Sequence, residues 1–471
     1  MKSTGSSLPP TGRVFGPASS SVRASATYGD PGCRPSGGRG PRSKGAFKLL
    51  AGRLLRSYLS SSGTLLISIL CQFGLLALMA RGLGNEEFGK LAVTTAILAV
   101  AASLCGLGAG DAVTRRIARN PEEYPRMLGH GLILIAASGL VLTLLTVPIL
   151  AAIVTVSPSL LITVGVMTAF AVSGIMLVAF IRFAERVFIG RQEFSKANLI
   201  SASFSIVRLV TGLVAFLIFT IEDLSSWCLW SLIAHMLTCA LCARLLQPLG
   251  RPALHLDIRE LRLGFHFCTP FIVDALRQNA DRAVLSFVVP IGTLGTYAAA
   301  IKIVEGSQFV VSSLNRVAYP LFVKNPDLGF GSVPKAGLVY ATAVSVMSSA
   351  TAFGLFICAP YLPLLLGPDY EPTVQNLQLL CWLLVPLALL TVPYDLLGAM
   401  EHHPVRARIY NSVSLLGIGG MVLAVYEFQM LGVFVSLYAI QVAVALALWI
   451  VLFRVKAVNE KPRVPVTRSS G

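Results

Sequence analysis

The sequence predicts an all-α polytopic membrane protein, with about twelve transmembrane helices in two six-helix lobes around a central cavity. Three observations predict it. Of the 471 residues, 55% are hydrophobic and only 13% are charged, against about 25% charged in soluble domains. With a mean hydropathy of +0.74, the chain has too little polar surface to meet water. This excludes a soluble enzyme, a disordered chain and a fibrous protein. Second, the apolar residues fall in helix-length runs, and in lipid only helices or closed barrels satisfy every backbone group. Third, the basic residues behind the formal charge of +16 lie beside alternate ends of those runs, which assigns them to membrane topology and not to nucleic acid.

Residues 1–46 are rich in Ser, Gly, Pro and Arg, with Asp30 the only acid, and read as a disordered basic tail on the cytoplasmic side. An Arg- and Ser-rich, acid-poor start also fits an organellar transit peptide or a start codon placed too early. From Ala46 to Leu59 the apolar Phe47, Leu50, Leu54, Leu55 and Tyr58 alternate with Lys48, Arg53 and Arg56, the pattern of a helix in the membrane interface. Nine plain runs follow, at 63–81, 90–110, 130–155, 159–181, 226–246, 337–358, 374–398, 410–426 and 431–453. Each is about 20 residues, matched to a hydrocarbon layer of about 30 Å. A tenth, 199–221, carries Arg208, and two more, 263–289 and 296–320, contain several charges. The lobes are read as 47–250 and 251–455, with 456–471 a second cytoplasmic tail.

With both ends inside, the inner segments hold 31 of the 38 Lys and Arg residues. The outer loops hold only Arg81 and Lys90, with seven acids. Ten spans satisfy this sorting as well as twelve, so the decision falls to an internal repeat. Gly84 and Gly89 return as Gly292 and Gly295, at offsets of 208 and 206, and Gly190-Arg-Gln-Glu193 returns as Gly398-Ala-Met-Glu401. The repeat makes residues 263–320 the counterpart of the first two spans. Six spans per half leaves both halves the same way up.

The two most polar spans carry the chemistry. A charge at a helix centre facing lipid costs roughly 2.5–3.5 kcal/mol, so Arg208, Arg277, Arg282, Lys302 and Arg316 must face water, protein or one another. Asp274, Arg277 and Asp281 share one helical stripe with Gln278 and Arg282 beside it; Lys302, Glu305, Ser312 and Arg316 form another. One reading makes these structural ion pairs, Asp274 or Asp281 with Arg277. The other takes the excess of five cations over the acids Asp274, Asp281, Glu305 and Asp395 as the lining of a wet cavity for an anionic cargo, because Arg matches phosphate oxygens bidentately. Other signals are set aside. Cys239 and Cys242 form a CxxC without a second pair; His402 and His403 are read as solvated, and His235 and His266 as packed in interhelical hydrogen bonds. Gly106, Gly108 and Gly110 end a membrane helix and do not follow a strand. No catalytic, cofactor or metal motif is expected.

Several segments, in order and spacing, carry a resemblance. They are Met79-Ala-Arg-Gly-Leu-Gly-Asn-Glu-Glu-Phe-Gly-Lys90, Gly106-Leu-Gly-Ala-Gly-Asp111 leading to Thr114-Arg-Arg-Ile-Ala-Arg119, then Asp281-Arg282, Gly295-Thr-Tyr-Ala-Ala-Ala300, Tyr319-Pro320 and Leu366-Gly-Pro-Asp-Tyr-Glu-Pro372. The chain from 47 to 453 resembles the Wzx-type polysaccharide and O-antigen flippases of the MATE-like MOP exporter superfamily. That resemblance implies two lobes around a cation-lined cavity that opens to each side in turn. It implies a polyprenyl-diphosphate-linked oligosaccharide as cargo, moved across the cell inner membrane for surface polysaccharide synthesis, with a polysaccharide polymerase and co-polymerase as partners. It also implies coupling to an ion gradient, with Asp274, Asp281 and Asp395 as candidate ion-binding carboxylates. The alternative reading is a MATE-type ion-coupled drug or metabolite antiporter, which would favour acidic excess in its cavity. A membrane polymerase or ligase would need a large outer loop, and the outer loops here are short.

Overall fold

Gly84 adopts φ 69°, ψ 176° inside the long helix Gly63–Leu104. This left-handed backbone is open to glycine without steric cost, and it divides the helix into two arms, α1 (63–83) and α2 (85–104). The computed structural model describes the backbone of residues 42–310, 334–400 and 402–459. Side chains are described within 63–454 of those ranges, apart from 263, 266, 267 and 334–338. Arg316, Ser312, His266 and the N-terminal tail expected from the sequence lie outside what is described. Contacts divide the chain at Arg53, and residues 54–471 form one unit.

After α2, Gly106, Leu107 and Gly108 all take positive φ and turn the chain into α3 (Ala109–Arg119). Its Ala109, Ala112, Val113 and Ile117 are buried, while Asp111, Arg115, Arg116 and Arg119 are more exposed, so α3 is amphipathic and packs by one face. Four helices follow: α4 (Pro121–Ile153), α5 (Leu160–Gly190), α6 (Phe194–Ile218) and α7 (Leu224–Leu249). The Asp223 carboxylate caps α7 by accepting from the Ser226 amide at 2.9 Å. The second half holds α8 (Ile258–Leu285), α9 (Ile291–Ser307), α10 (Val339–Leu366) and α11 (Pro368–Ala399). It closes with His403–Arg454, which a kink at Gln429 divides into α12 (403–428) and α13 (430–454). Gln429 is held at φ 50°, ψ −124°. Gly432 lies against the Ala424 carbonyl where a side chain would collide, which is why the turn is this tight.

Among the described residues, eight helices are long and apolar enough to cross a membrane. Two of them are bent double spans, giving ten crossings, and α8 and α9 bring the number to twelve. At 1.5 Å per residue the 28 residues of α8 reach about 42 Å and the 17 of α9 about 26 Å, lengths that fit a bilayer. Charges conceal α8 from a hydropathy window, and α9 is shorter than the other spans over its described residues. No strand occurs among the described residues.

Packing stays largely within each half: α3 on α5 and α6 on α7 in the first, α8 on the His403–Arg454 helix, and α9 and α10 on α11 in the second. The halves meet at both ends. At the end carrying Glu86, Glu87 and Asp369, the acidic end, Gly89 presses on Ile291 and Gly295, and Gly295 presses on Asn85 and Gly89. Both Gly89 to Gly295 and Asn85 to Ile291 are steps of 206 residues, so repeat-related residues meet across a local two-fold. Side-chain positions built on Gly89 and Gly295 would stand 3.2 and 3.1 Å from the other's amide nitrogen; only glycine permits this crossing. Arg81 reinforces this end by donating to the carbonyls of Leu364 and Leu365, beside a hollow of about 620 Å³ that Gly84, Asp369 and Tyr370 help to line. At the basic end, Gly108 packs on the backbone of Gly264, and buried Glu260 on α8 accepts from Arg115 at 2.5 Å and Arg116 at 2.8 Å on α3. Midway, Phe73 on α1 lies against Gly306 on α9.

Candidate functional site

The charged stripes of α8 and α9 meet in one network. On α8, Arg277 donates to Asp274 at 3.0 Å and to the Tyr410 hydroxyl of α12 at 2.7 Å. Tyr410 donates in turn to Asp274 at 2.7 Å, closing a three-membered ring of bonds. Gln278 satisfies the second Asp274 oxygen at 2.6 Å. The Tyr394 ring stands edge-on to Tyr410 at 5.6 Å, and Arg406 lies 4.2 Å over Tyr394. One turn along α8, buried Asp281 accepts from the Tyr297 hydroxyl at 2.5 Å and faces Arg282 at 3.5 Å. The fully buried Arg282 also reaches the Gln278 carbonyl and the Glu305 carboxylate. Glu305 holds Lys302 at 2.7 Å.

Three cations (Arg277, Arg282 and Lys302) face three carboxylates (Asp274, Asp281 and Glu305). The surplus of positive charge expected from the sequence is therefore absent from the described part of this cluster. It rests on Arg208, in the other half of the molecule, and on Arg316, outside the described residues. Arg208 lies on α6, its guanidinium 5.5 Å from the Phe204 ring centroid and its Nε buried without a hydrogen-bond partner. Phe204 separates it from His235, whose ring stands 5.4 Å away. His235 bonds through Nδ1 to the Ser231 carbonyl of its own helix at 2.5 Å, so the interhelical hydrogen bond expected from the sequence is replaced by a ring contact. Asp395 on α11 accepts from Tyr340 at 3.4 Å, apart from the α8–α9 cluster. Cys239 and Cys242 are free thiols.

The cluster has a wet edge. From Leu294 to Val304, α9 is buried at every position except Lys302, whose side chain is 43% exposed. A lipid-facing stripe on this helix would expose apolar residues; here the single opening is at an ammonium. Asp274, at 39% exposure, is the corresponding open member on α8. Lys302 uses one of its three N–H donors on Glu305, leaving donors for a ligand oxygen. Charge spacing on α8 and α9 pointed to this cluster, but it missed Tyr297 and Tyr410, which carry no charge and lie 16 and 136 residues from the aspartates they satisfy.

A family profile described as "Polysaccharide biosynthesis protein" matches residues 54–325, more than half of the chain. The protein belongs to the polysaccharide biosynthesis protein family. Among solved structures, the lipid II flippase MurJ in an inward closed conformation superposes on this family member with a TM-score of 0.65 at 16% identity, covering 84% of this chain and 87% of MurJ. The MATE multidrug transporter DinF-BH superposes with a TM-score of 0.58 at 15% identity, covering 85% of this chain and 95% of its own. A MOP superfamily transporter from Pyrococcus furiosus, described as having a binding pocket of reverse polarity, gives 0.53 at 14% identity, covering 86% and 96%. At these identities the likeness establishes a shared fold. No curated protein matches the sequence. The chain is thus a multi-pass membrane protein of the polysaccharide biosynthesis protein family, with the fold shared by MurJ and the MATE transporters.

Proposed function

We propose that this protein flips a polyprenyl-diphosphate-linked oligosaccharide across the inner membrane for surface polysaccharide synthesis, its basic end and both termini facing the cytosol. The observation that carries the reading is the opening at Lys302: an ammonium with unused donors at the edge of a buried charge network, in the stretch of α9 from Leu294 to Val304 that is otherwise buried. The sugar and diphosphate cannot cross hydrocarbon unaided, while the prenyl tail can stay in lipid. A hollow between the lobes 47–250 and 251–455 shelters the head, with Lys302 meeting phosphate oxygens and Arg277 and Arg282 holding Lys302 and the carboxylates in place. Arg208 and Arg316 are proposed as further cargo cations. No bond is made or broken.

Among the ion-coupling candidates, Asp274 and Asp281 are each tied to an arginine and a tyrosine hydroxyl. Asp395, with one long bond, retains acceptor capacity, and we assign coupling to it. A MATE-type antiporter is the second reading, favoured by the balance of three cations and three acids in the α8–α9 cluster. Vesicles containing the purified protein and a fluorescent polyprenyl-diphosphate oligosaccharide separate the two. Lipid-linked sugar should cross with wild-type protein and slow about tenfold or more with Lys302→Ala, while Asp395→Asn should abolish dependence on an imposed proton or sodium gradient. Transport of organic cations with no movement of the lipid-linked sugar would establish the antiporter.

A further inference from the structure

The strap that joins the halves is built for a second ligand. From Gly250 to Asp257 the chain runs without helix, yet it is firmly held. The Ala253 amide donates to the Pro125 carbonyl at 2.8 Å, the Ala253 carbonyl abuts Gly129, and the Asp257 amide donates to His130 Nδ1 at 3.2 Å. Despite this, Leu254 is 82% exposed, Ile258 69% and Phe265 53%. Arg251, Arg259 and Arg262 are exposed as well, and none forms an ion pair among the described residues. The two local acids are already used: Asp257 caps α8 through the Arg259 and Glu260 amides and faces Arg116, and Glu260 is held by Arg115 and Arg116.

Ile258, Arg262 and Phe265 stand at i, i+4 and i+7 on α8, one stripe that leads from the strap into the membrane span. An arginine bracketed by exposed apolar side chains at the edge of a bilayer lays its stem on lipid chains and its guanidinium among head groups. A surface that is apolar and cationic at once, with its own acids engaged, fits a partner with the complementary halves in one molecule.

We propose that residues 251–265 form a binding site for an anionic phospholipid of the membrane itself. Arg251, Arg259 and Arg262 take the head-group phosphate, and Leu254, Ile258 and Phe265 lie along the acyl chains. Because the strap carries Glu260 into the Arg115–Arg116 contact, a bound lipid braces the joint between the halves. The site needs the membrane fold but not the cargo assigned above, so a protein that moved no glycan would still bind the lipid.

The test uses the purified full chain in detergent, with native mass spectrometry of retained lipid. Phosphatidylglycerol should be retained over phosphatidylcholine, and each arginine replaced by alanine should lower retention about fivefold. The Arg262→Gln variant alone should show that loss with unchanged melting in lipid-free detergent, which keeps the test open should the triple variant, with Arg251, Arg259 and Arg262 all replaced by alanine, fail to fold. Glycerol phosphate, which lacks chains, should not compete. Equal retention of the two phospholipids, or undiminished phosphatidylglycerol on Arg262→Gln and on the triple variant, would overturn the proposal. Displacement of phosphatidylglycerol by an equimolar polyprenyl diphosphate would reassign the site to cargo and overturn it equally.

Discussion

Arg282 and Lys302 share Glu305, but they differ in what their loss would do. Arg282 is fully buried between Asp281 and Glu305, so Arg282→Leu leaves two carboxylates short of their counter-charge, a change that destabilises by about 3–5 kcal/mol. Thermal unfolding in detergent should show a large fall in melting temperature and membrane yield should drop, whereas Lys302→Ala should leave both near wild type. Outside the membrane, Glu193 lies between Lys196 at 2.6 Å and Arg191 at 2.8 Å, and these two hold its carboxyl below the usual range, Lys196 first. A depressed carboxyl contributes stability above its unfolded value, about 4.3, and loses it as pH falls through the lower folded value. The melting difference between wild type and Glu193→Gln should therefore be small but measurable at pH 7 and vanish as acid is added. At this scale the sequence is legible where partners are three residues apart, as for Asp274 with Arg277 and Lys302 with Glu305. The ties from Tyr297 to Asp281 and from Tyr410 to Asp274 are set by helix packing, which no local spacing encodes.

Among the elements, the crossing of α2 and α9 at Gly89 and Gly295 is where the acidic end is sealed. Backbone meets backbone there, and a side chain at Gly89 would collide with the Ile291 carbonyl. Gly89→Val should hold that end apart. A cysteine placed at Lys302 should then react faster with a polar thiol reagent from the acidic side than in the Gly89 parent, and equal rates would show that the seal lies elsewhere. The repeat was visible in the sequence as similarity between Gly84–Gly89 and Gly292–Gly295. That the two copies would touch each other was not, because similarity reveals a symmetry and leaves its axis unplaced. The α3–Glu260 contact at the opposite end was hidden for another reason: Glu260 reads as one more charge in a basic loop until α8 is known to begin at Ile258.

For the molecule as a whole, composition marks a polytopic helical protein because lipid is the solvent, charge sorting gives an expected direction but allows ten spans or twelve, and the internal repeat is what favours twelve. The exposed Thr293, in the first turn of α9, tests that direction: a single cysteine there should label in intact cells, and labelling only after permeabilisation would contradict the orientation. The charge of the site was less legible, because counting cations along the chain does not show that Arg277, Arg282 and Lys302 face three carboxylates, which leaves the surplus to Arg208 and Arg316. The architecture thus directs attention to the one ammonium that is both tethered and open. The most direct measurement is surface glycan in a strain that depends on this gene, complemented with wild type, Lys302→Arg or Lys302→Ala at matched membrane levels. Cargo contact at Lys302 requires that wild type restore the glycan, that arginine restore most of it, and that alanine leave it about tenfold or more below wild type. Full restoration by Lys302→Ala would contradict it.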